Sequence, residues 1–454
     1  MNYKHSVLQF NIIFILLLLC SSLLFQWKSN LVGKENRPLE IISSVKKTNL
    51  IPKIKKDSLV YKGDTSNQVA QRDFATYKGI VTCNGNTFAL SRFYERLHEL
   101  LLKRRKKIRI AYFGDSMIEG DLLTQDLRSM FQNNFGGNGV GFVPITSIVA
   151  GFRQTISHSF STDWKDISFK SENKQANKLF LSGHSFLSSG NSVVTYRTVN
   201  YPKLDIFNNV SLLYGQPVGQ FDTTTKILVN GKQYGLKTNR SLNLIEIDHM
   251  NCKELKLQAT ATSIPFYGAA FESDSGVIVD NYSFRGISGL EFNYFDPKLL
   301  EETQNVRPYD LIIFHYGTNL LFKPQLNEFN WYGKSMTPIL QKLKNSFPES
   351  SILMISTADK GASYNGDWKT AIGVEPLVQT QYNIACNVGI GFFNLYNAMG
   401  GEGTIVKWVN SDTMLANKDY THPNGRGAKI LASLIYKAII NEFSEYKSKT
   451  LKEN

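Results

Sequence analysis

The sequence predicts an α/β fold interrupted by an all-β insertion. Residues 76–150 and 273–446 alternate apolar strand-like runs with amphipathic helical ones, which implies a parallel sheet covered by helices on both faces. Between them, 151–272 carries short β-type runs separated by turn residues with little helical period, the pattern of a β-sandwich.

The first α/β part opens on LSRFYERLHELLLKRRKK, where Phe93, Leu97, Leu100 and Leu101 recur at helical spacing. IRIAYFG follows as a buried strand ending at GDSMIEGD. DLLTQDLRSMFQNNF reads as a second helix with Ser116 at its mouth, and GGNGVGF as a glycine-rich loop. In the insertion, SVVTYRTV, KLDIFNNVSLLYG, TKILVNGKQYGL and KELKLQAT read as strands. Asn230-Gly231 signals a hairpin, because both central positions of a type I′ turn need positive φ. The second part supplies strands in GVIVDNYSF, DLIIFHYG, SSILMIST and IGFFNL. Its helices are WYGKSMTPILQKLKNSF, Leu377 to Val388, and GRGAKILASLIYKAIINEF, before a tail at 447–454.

At 454 residues the chain exceeds one ordinary core, and its 42% hydrophobic content excludes a disordered protein. The net charge of +13 sits largely in Lys28 to Lys62 and in Lys103 to Lys107. No nucleic-acid module surrounds these runs, so they read as a solvated tether (28–75) and a charged helix end, and nucleic acid is not an expected partner. Ser6 to Trp27 is uncharged and apolar, and its 22 residues suffice to cross a hydrocarbon core of roughly 30 Å. No Ala-x-Ala cleavage site follows it. Segment 1–27 therefore reads as an uncleaved membrane anchor, with a signal peptide as the alternative, and the globular part is expected outside the cytoplasm. Cys20 lies in that segment. Cys83, Cys252 and Cys386 show no CxxC or metal spacing; a disulfide between two of them and buried free thiols both stay open.

Groups that carry chemistry in an open α/β sheet gather beyond the carboxyl ends of its strands. The first strand ends at Gly114-Asp115-Ser116, a hydroxyl on a tight turn. The next ends in Asn281-Tyr282-Ser283-Phe284-Arg285-Gly286, where a glycine can offer its N–H unobstructed. The third ends in Gly317-Thr318-Asn319, whose amide can donate. Asp419-Tyr420-Thr421-His422 precedes the last helix, a spacing at which the carboxylate can orient the imidazole.

These four blocks, in this order, resemble those of the SGNH/GDSL hydrolases. The resemblance implies a flavodoxin-like three-layer α/β/α sandwich and a serine esterase without metal or organic cofactor. Ser116 would be the nucleophile, His422 its base and Asp419 the orienting acid. Ser116, Gly286 and Asn319 would form the oxyanion hole. Gly289 is the alternative to Gly286, and Asp412 to Asp419. Leu320 stands where the family usually has Asp. Asp115 reads as a turn-capping residue and His315 as a satisfied core histidine. The large β insertion after the first block further resembles bacterial peptidoglycan O-acetylesterases with a carbohydrate-binding-like module. That implies removal of acetyl or short acyl groups from an acetylated cell-envelope glycan. Acetyl transfer onto such a glycan is the alternative.

Overall fold

The computed structural model describes residues 79–83, 88–172, 178–219, 227–247 and 251–450. The anchor and tether segments, with Cys20, lie outside the described residues; among the described residues no helix is long and apolar enough to cross a membrane.

The chain begins with β1 (Ile80–Val81), α1 (Ser91–Leu101), β2 (Lys107–Gly114), α2 (Thr124–Phe135) and β3 (Gly141–Pro144). Strands β4 (Ser157–Phe160), β5 (Trp164–Ser168), β6 (His184–Ser188), β7 (Ser192–Arg197), β8 (Asn209–Tyr214), β9 (Ile227–Val229), β10 (Lys232–Tyr234), β11 (Asn243–Ile247), β12 (Glu254–Ala259) and β13 (Phe266–Glu272) follow. Then come β14 (Gly276–Ser283), α3 (Pro297–Val306), β15 (Leu311–His315), α4 (Asn330–Ser346), β16 (Ser351–Ile355), β17 (Gly361–Tyr364) and β18 (Asp367–Thr370). The chain closes with α5 (Val374–Val388), β19 (Gly391–Phe393), α6 (Leu395–Met399), α7 (Thr404–Asn410) and α8 (Gly425–Thr450).

One sheet has the order β1-β19-β16-β15-β2-β14, parallel except for β1, which runs antiparallel to β19. A strand buried on both faces needs a nearly continuous apolar run, and β2 buries Ile108, Ile110, Ala111, Tyr112 and Phe113. On one face α1, α2 and α8 pack Leu97, Leu127, Phe131, Leu431 and Ile435 against Ile110 and Tyr112. On the other, Leu340 of α4 and Leu377 of α5 join Phe113, Ile312 and Phe314. Cys83, just past β1, is disulfide-bonded to Cys386 of α5, while Cys252 is free.

Two antiparallel sheets, β10-β9-β12-β7-β4 and β11-β8-β13-β6-β5, hold a third core that includes Phe186, Tyr196, Leu212, Leu257 and Phe266. Asn230 and Gly231, with φ of 48° and 82°, turn β9 into β10 as expected. The glycine-rich stretch behaves differently from a plain loop. Its end forms β3, which pairs with β13 and so belongs with the antiparallel strands. Gly139 and Gly141 have positive φ and pass so close to Phe271 and Val279 that a Cβ at either would strike backbone.

The register fixes where the sheet's chemistry can lie. Gly114 of β2 is level with both Ser283 of β14 and His315 of β15. The three strand ends that carry the candidate groups therefore finish side by side.

Candidate active site

Beyond β2 the chain folds back sharply, with Ile118 N–H donating to Asp115 O and Met117 N–H to Asp115 Oδ1 (3.0 Å). Asp115 thus caps the turn on which half-buried Ser116 sits. Ser116 is not at a helix mouth. A 3-10 turn, Glu119–Asp121, intervenes, and α2 starts only at Thr124. Gly120 and Asp121 have φ of 68° and 70°, which an α-helix excludes. Arg128 holds Asp121 there through paired hydrogen bonds of 2.7 and 2.8 Å.

The loop before α8 brings His422 to this turn. Its Nε2 lies 2.8 Å from Ser116 Oγ, and its Nδ1 lies 2.7 Å from Asp419 Oδ2. Asp419 Oδ1 also accepts the N–H groups of Thr421 (2.9 Å) and His422 (3.0 Å). Burial alone would raise the Asp419 carboxyl, but the hydrogen bonds from the His422 ring and these N–H groups outweigh it and hold it down to about 2. An ionised carboxylate facing Nδ1 requires the proton on that nitrogen, which leaves Nε2 as an acceptor toward the serine hydroxyl. Asp412 is exposed, and Asp419 is the acid that the ring meets.

Gly286 is exposed with φ of 79°, at the end of the loop leaving β14. Gly289 is buried, with Phe314 and Met336 closed around its α-carbon, so its backbone is walled off by packing. Asn319 donates through Nδ2 to Asp115 Oδ2 and to Ile287 O, both at 2.9 Å. Two acceptors on one nitrogen fix the amide's orientation. They also occupy both of its hydrogens, so an oxyanion must share one with Asp115 or Ile287. His315 is only half satisfied: Nδ1 meets Tyr112 OH at 2.9 Å, Nε2 has no partner, and burial lowers its pKa to about 4.

Two further groups beside the site were not singled out from the sequence. Hairpin β17–β18 leans on the Asp419–His422 loop. Gly361 N–H donates to Tyr420 O (2.7 Å), and the Trp368 ring stacks on Tyr420 at 4.0 Å and 6°. Tyr420 has a φ of 53°, a conformation that its surroundings must enforce. The available signal was Asn365-Gly366, the same turn pair as in the insertion. Lys360, next to this hairpin, donates to Thr318 O at 3.2 Å. Burial lowers its amine, against the opposing charges of Asp115 and Asp419. Among the described residues no cluster of three His, Cys, Asp or Glu side chains is arranged to hold a metal.

Asp115 is fully buried, and burial pushes it up to about 6 against the lowering influence of Met117 N–H, His422, Lys360 and Asn319. Its folded pKa exceeds the ordinary 3.8, so the folded state binds the extra proton between these values, and stability falls as pH rises from about 4 to 6. Asp115→Asn is expected to flatten this slope, a relative change on the order of 3 kcal/mol between pH 4 and 6.5. Urea unfolding at both pH values checks it; parallel behaviour of the two proteins would contradict it.

This is the fold of the SGNH hydrolases. In particular, the chain superposes on a solved peptidoglycan O-acetylesterase with a TM-score of 0.67 at 18% identity, over 81% of this chain and 99% of that one. A family-two carbohydrate esterase from Cellvibrio japonicus aligns at a TM-score of 0.27 and 11% identity, over 64% of this chain and 98% of that one. No model of a protein family matches the sequence, and no curated protein does either.

Proposed function

We propose that this chain is an extracytoplasmic serine esterase that removes acetyl, or another short acyl group, from a cell-envelope polysaccharide, foremost peptidoglycan. The observation that carries the reading is the unbroken hydrogen-bonded series Ser116 Oγ, His422, Asp419. Ser116 Oγ attacks the ester carbonyl while His422 Nε2 takes its proton. The N–H groups of Ser116 and Gly286 and the Asn319 amide hold the oxyanion. His422 then protonates the departing sugar oxygen. In the second half, water attacks the acyl-serine with His422 as base, and the carboxylic acid leaves.

The side chains of His422 and Asp419 are 34% and 49% exposed, so water reaches the triad; this supports hydrolysis over transfer to a sugar hydroxyl. The Cys83–Cys386 disulfide supports an oxidising compartment outside the cytoplasm. Likeness of fold to a peptidoglycan O-acetylesterase supports the choice of glycan.

A fluorophosphonate probe followed by peptide mass spectrometry tests the nucleophile, and acetate release from O-acetylated peptidoglycan tests the substrate. An adduct on another serine, or acetylated sugar accumulating in place of free acetate, would overturn the corresponding claim. Asn319→Ala is expected to lower turnover of an aryl acetate about a hundredfold. Trp368→Ala is expected to lower kcat roughly tenfold with KM little changed, because it frees the loop that aims His422, while Trp368→Phe keeps most of the rate. Equal rates for the alanine and phenylalanine variants would remove the stacked ring from the account.

A further inference from the structure

A pocket of about 230 Å³ lies between the carboxyl edge of the parallel sheet and the β insertion. One wall is Glu119, Ser283, Phe284 and Arg285, which flank the turn of Ser116 and the approach to Gly286. The other includes Arg153, Lys170 and Ser182. Lys170 Nζ stands 3.8 Å from where a Cβ on Gly286 would be, so Lys170 reaches from the pocket to the loop that carries Gly286. None of the proposed catalytic groups lines it.

Its charges are unevenly matched. Glu119 is paired with Arg285, and Asp166 with His184 at 2.8 Å. Asp121 is filled by Arg128 and by the Thr155 hydroxyl at 2.7 Å. Arg153 is left with a long 3.4 Å approach to Asp121 and a hydrogen bond from Nε to Thr155 Oγ1 (3.0 Å). Its side chain is 9% exposed, and Nη2, the nitrogen that makes this approach to Asp121, is buried without a hydrogen bond. Ser182 Oγ is likewise buried and unpartnered. Lys170 has no ion pair among the described residues and rests over the Phe284 ring at 5.5 Å. A buried guanidinium with an open N–H is costly until a ligand completes it, and a carboxylate matches its fork.

We propose that this pocket is a second subsite, which holds a sugar-borne carboxylate close to the ester that is cleaved. Arg153 and Lys170 take the carboxylate, and Ser182 Oγ meets a sugar hydroxyl. This rests on the esterase reading above, and it adds that the preferred glycan is acidic close to the ester.

The test uses O-acetylated peptidoglycan strands freed of their peptides, which bares the lactyl carboxylates. The same strands with those carboxylates reduced to alcohols, and an aryl acetate, are the controls. The wild-type protein is expected to prefer the acidic strands about tenfold in kcat/KM, less so at high salt. Lys170→Met and Arg153→Met are expected to erase the preference by raising KM, with aryl acetate kcat/KM unchanged to within about twofold. Lys170 is exposed, so its variant reports even if Arg153→Met fails to fold. Equal wild-type rates on the two strands, or loss of aryl acetate activity in proportion in Lys170→Met, overturns the subsite. If no ester is cleaved at all, the esterase reading fails. The pocket is then judged by binding of the acidic strands: tighter binding by wild type than by Lys170→Met supports it, and equal binding overturns it.

Discussion

Replacing Ser116 by alanine is expected to cut aryl acetate hydrolysis by about 10⁴-fold or more while leaving the fold intact. The hydroxyl is half-buried, and its hydrogen-bond partner is His422 Nε2 at 2.8 Å, so its removal leaves only a small void and no buried unpaired charge. No nearby hydroxyl on the turn can substitute, because Met117 and Ile118 follow and both are buried. Asp419→Asn should cost less than Ser116→Ala. The Asp419 carboxylate is 49% exposed, so water can partly replace it in orienting the ring. Steady-state kinetics with matching unfolding curves check both variants. Ser116→Ala retaining a tenth of the activity would remove Ser116 as nucleophile.

Arg307→Met is expected to destabilise the protein by about 3–5 kcal/mol, the usual consequence of stripping one partner from a buried ionic network. Arg307 is 1% exposed and meets Asp280 at 2.8 Å and Glu272 at 3.1 Å. Asp280 also accepts Tyr309 OH (2.6 Å) and Phe142 N–H (2.8 Å). Glu272 keeps Lys107 and Arg109, at 2.8 and 2.6 Å, but Asp280 has no other cation among the ion pairs of the described residues. Uncompensated charge at Asp280 is therefore the main source of the loss. Arg307→Lys should recover only part of it, because one ammonium cannot fork to both carboxylates. Urea titration measures the effect; a loss under about 1 kcal/mol would show that the network contributes little to holding the fold together.

Much of the candidate site's geometry could be anticipated from the chain because its signals are local. The apolar run of β2 ends at a glycine, Asp419 and His422 are three residues apart, and Gly317-Thr318-Asn319 directly follows a buried strand. The parallel order of the sheet then brings those endings together. What stayed hidden depends on partners distant in sequence. Nothing near Cys83 indicates that Cys386, 303 residues away, is its partner. Arg153 looks like an ordinary loop arginine until Asp121 is seen to be filled by Arg128 and Thr155. The helix expected from Asp121 begins at Thr124 because Gly120 and Asp121 take left-handed backbone, which apolar periodicity cannot report. The stacking of Trp368 on Tyr420 joins two segments whose local patterns say nothing of each other.

The passage from β13 to β14 has a mechanical consequence. Glu272 closes a strand of the insertion and Gly276, level with Lys107 at the amino end of β2, opens a strand of the parallel sheet, so a single tight bend joins the two at the edge opposite the candidate site. Two parts joined this way, and pinned again where Asp280 accepts the Phe142 N–H of β3 (2.8 Å), are held against hinging at two separate points. For the proposed esterase, polymer thickness, rather than the timing of any closure, is then expected to decide which stretches of glycan reach Ser116.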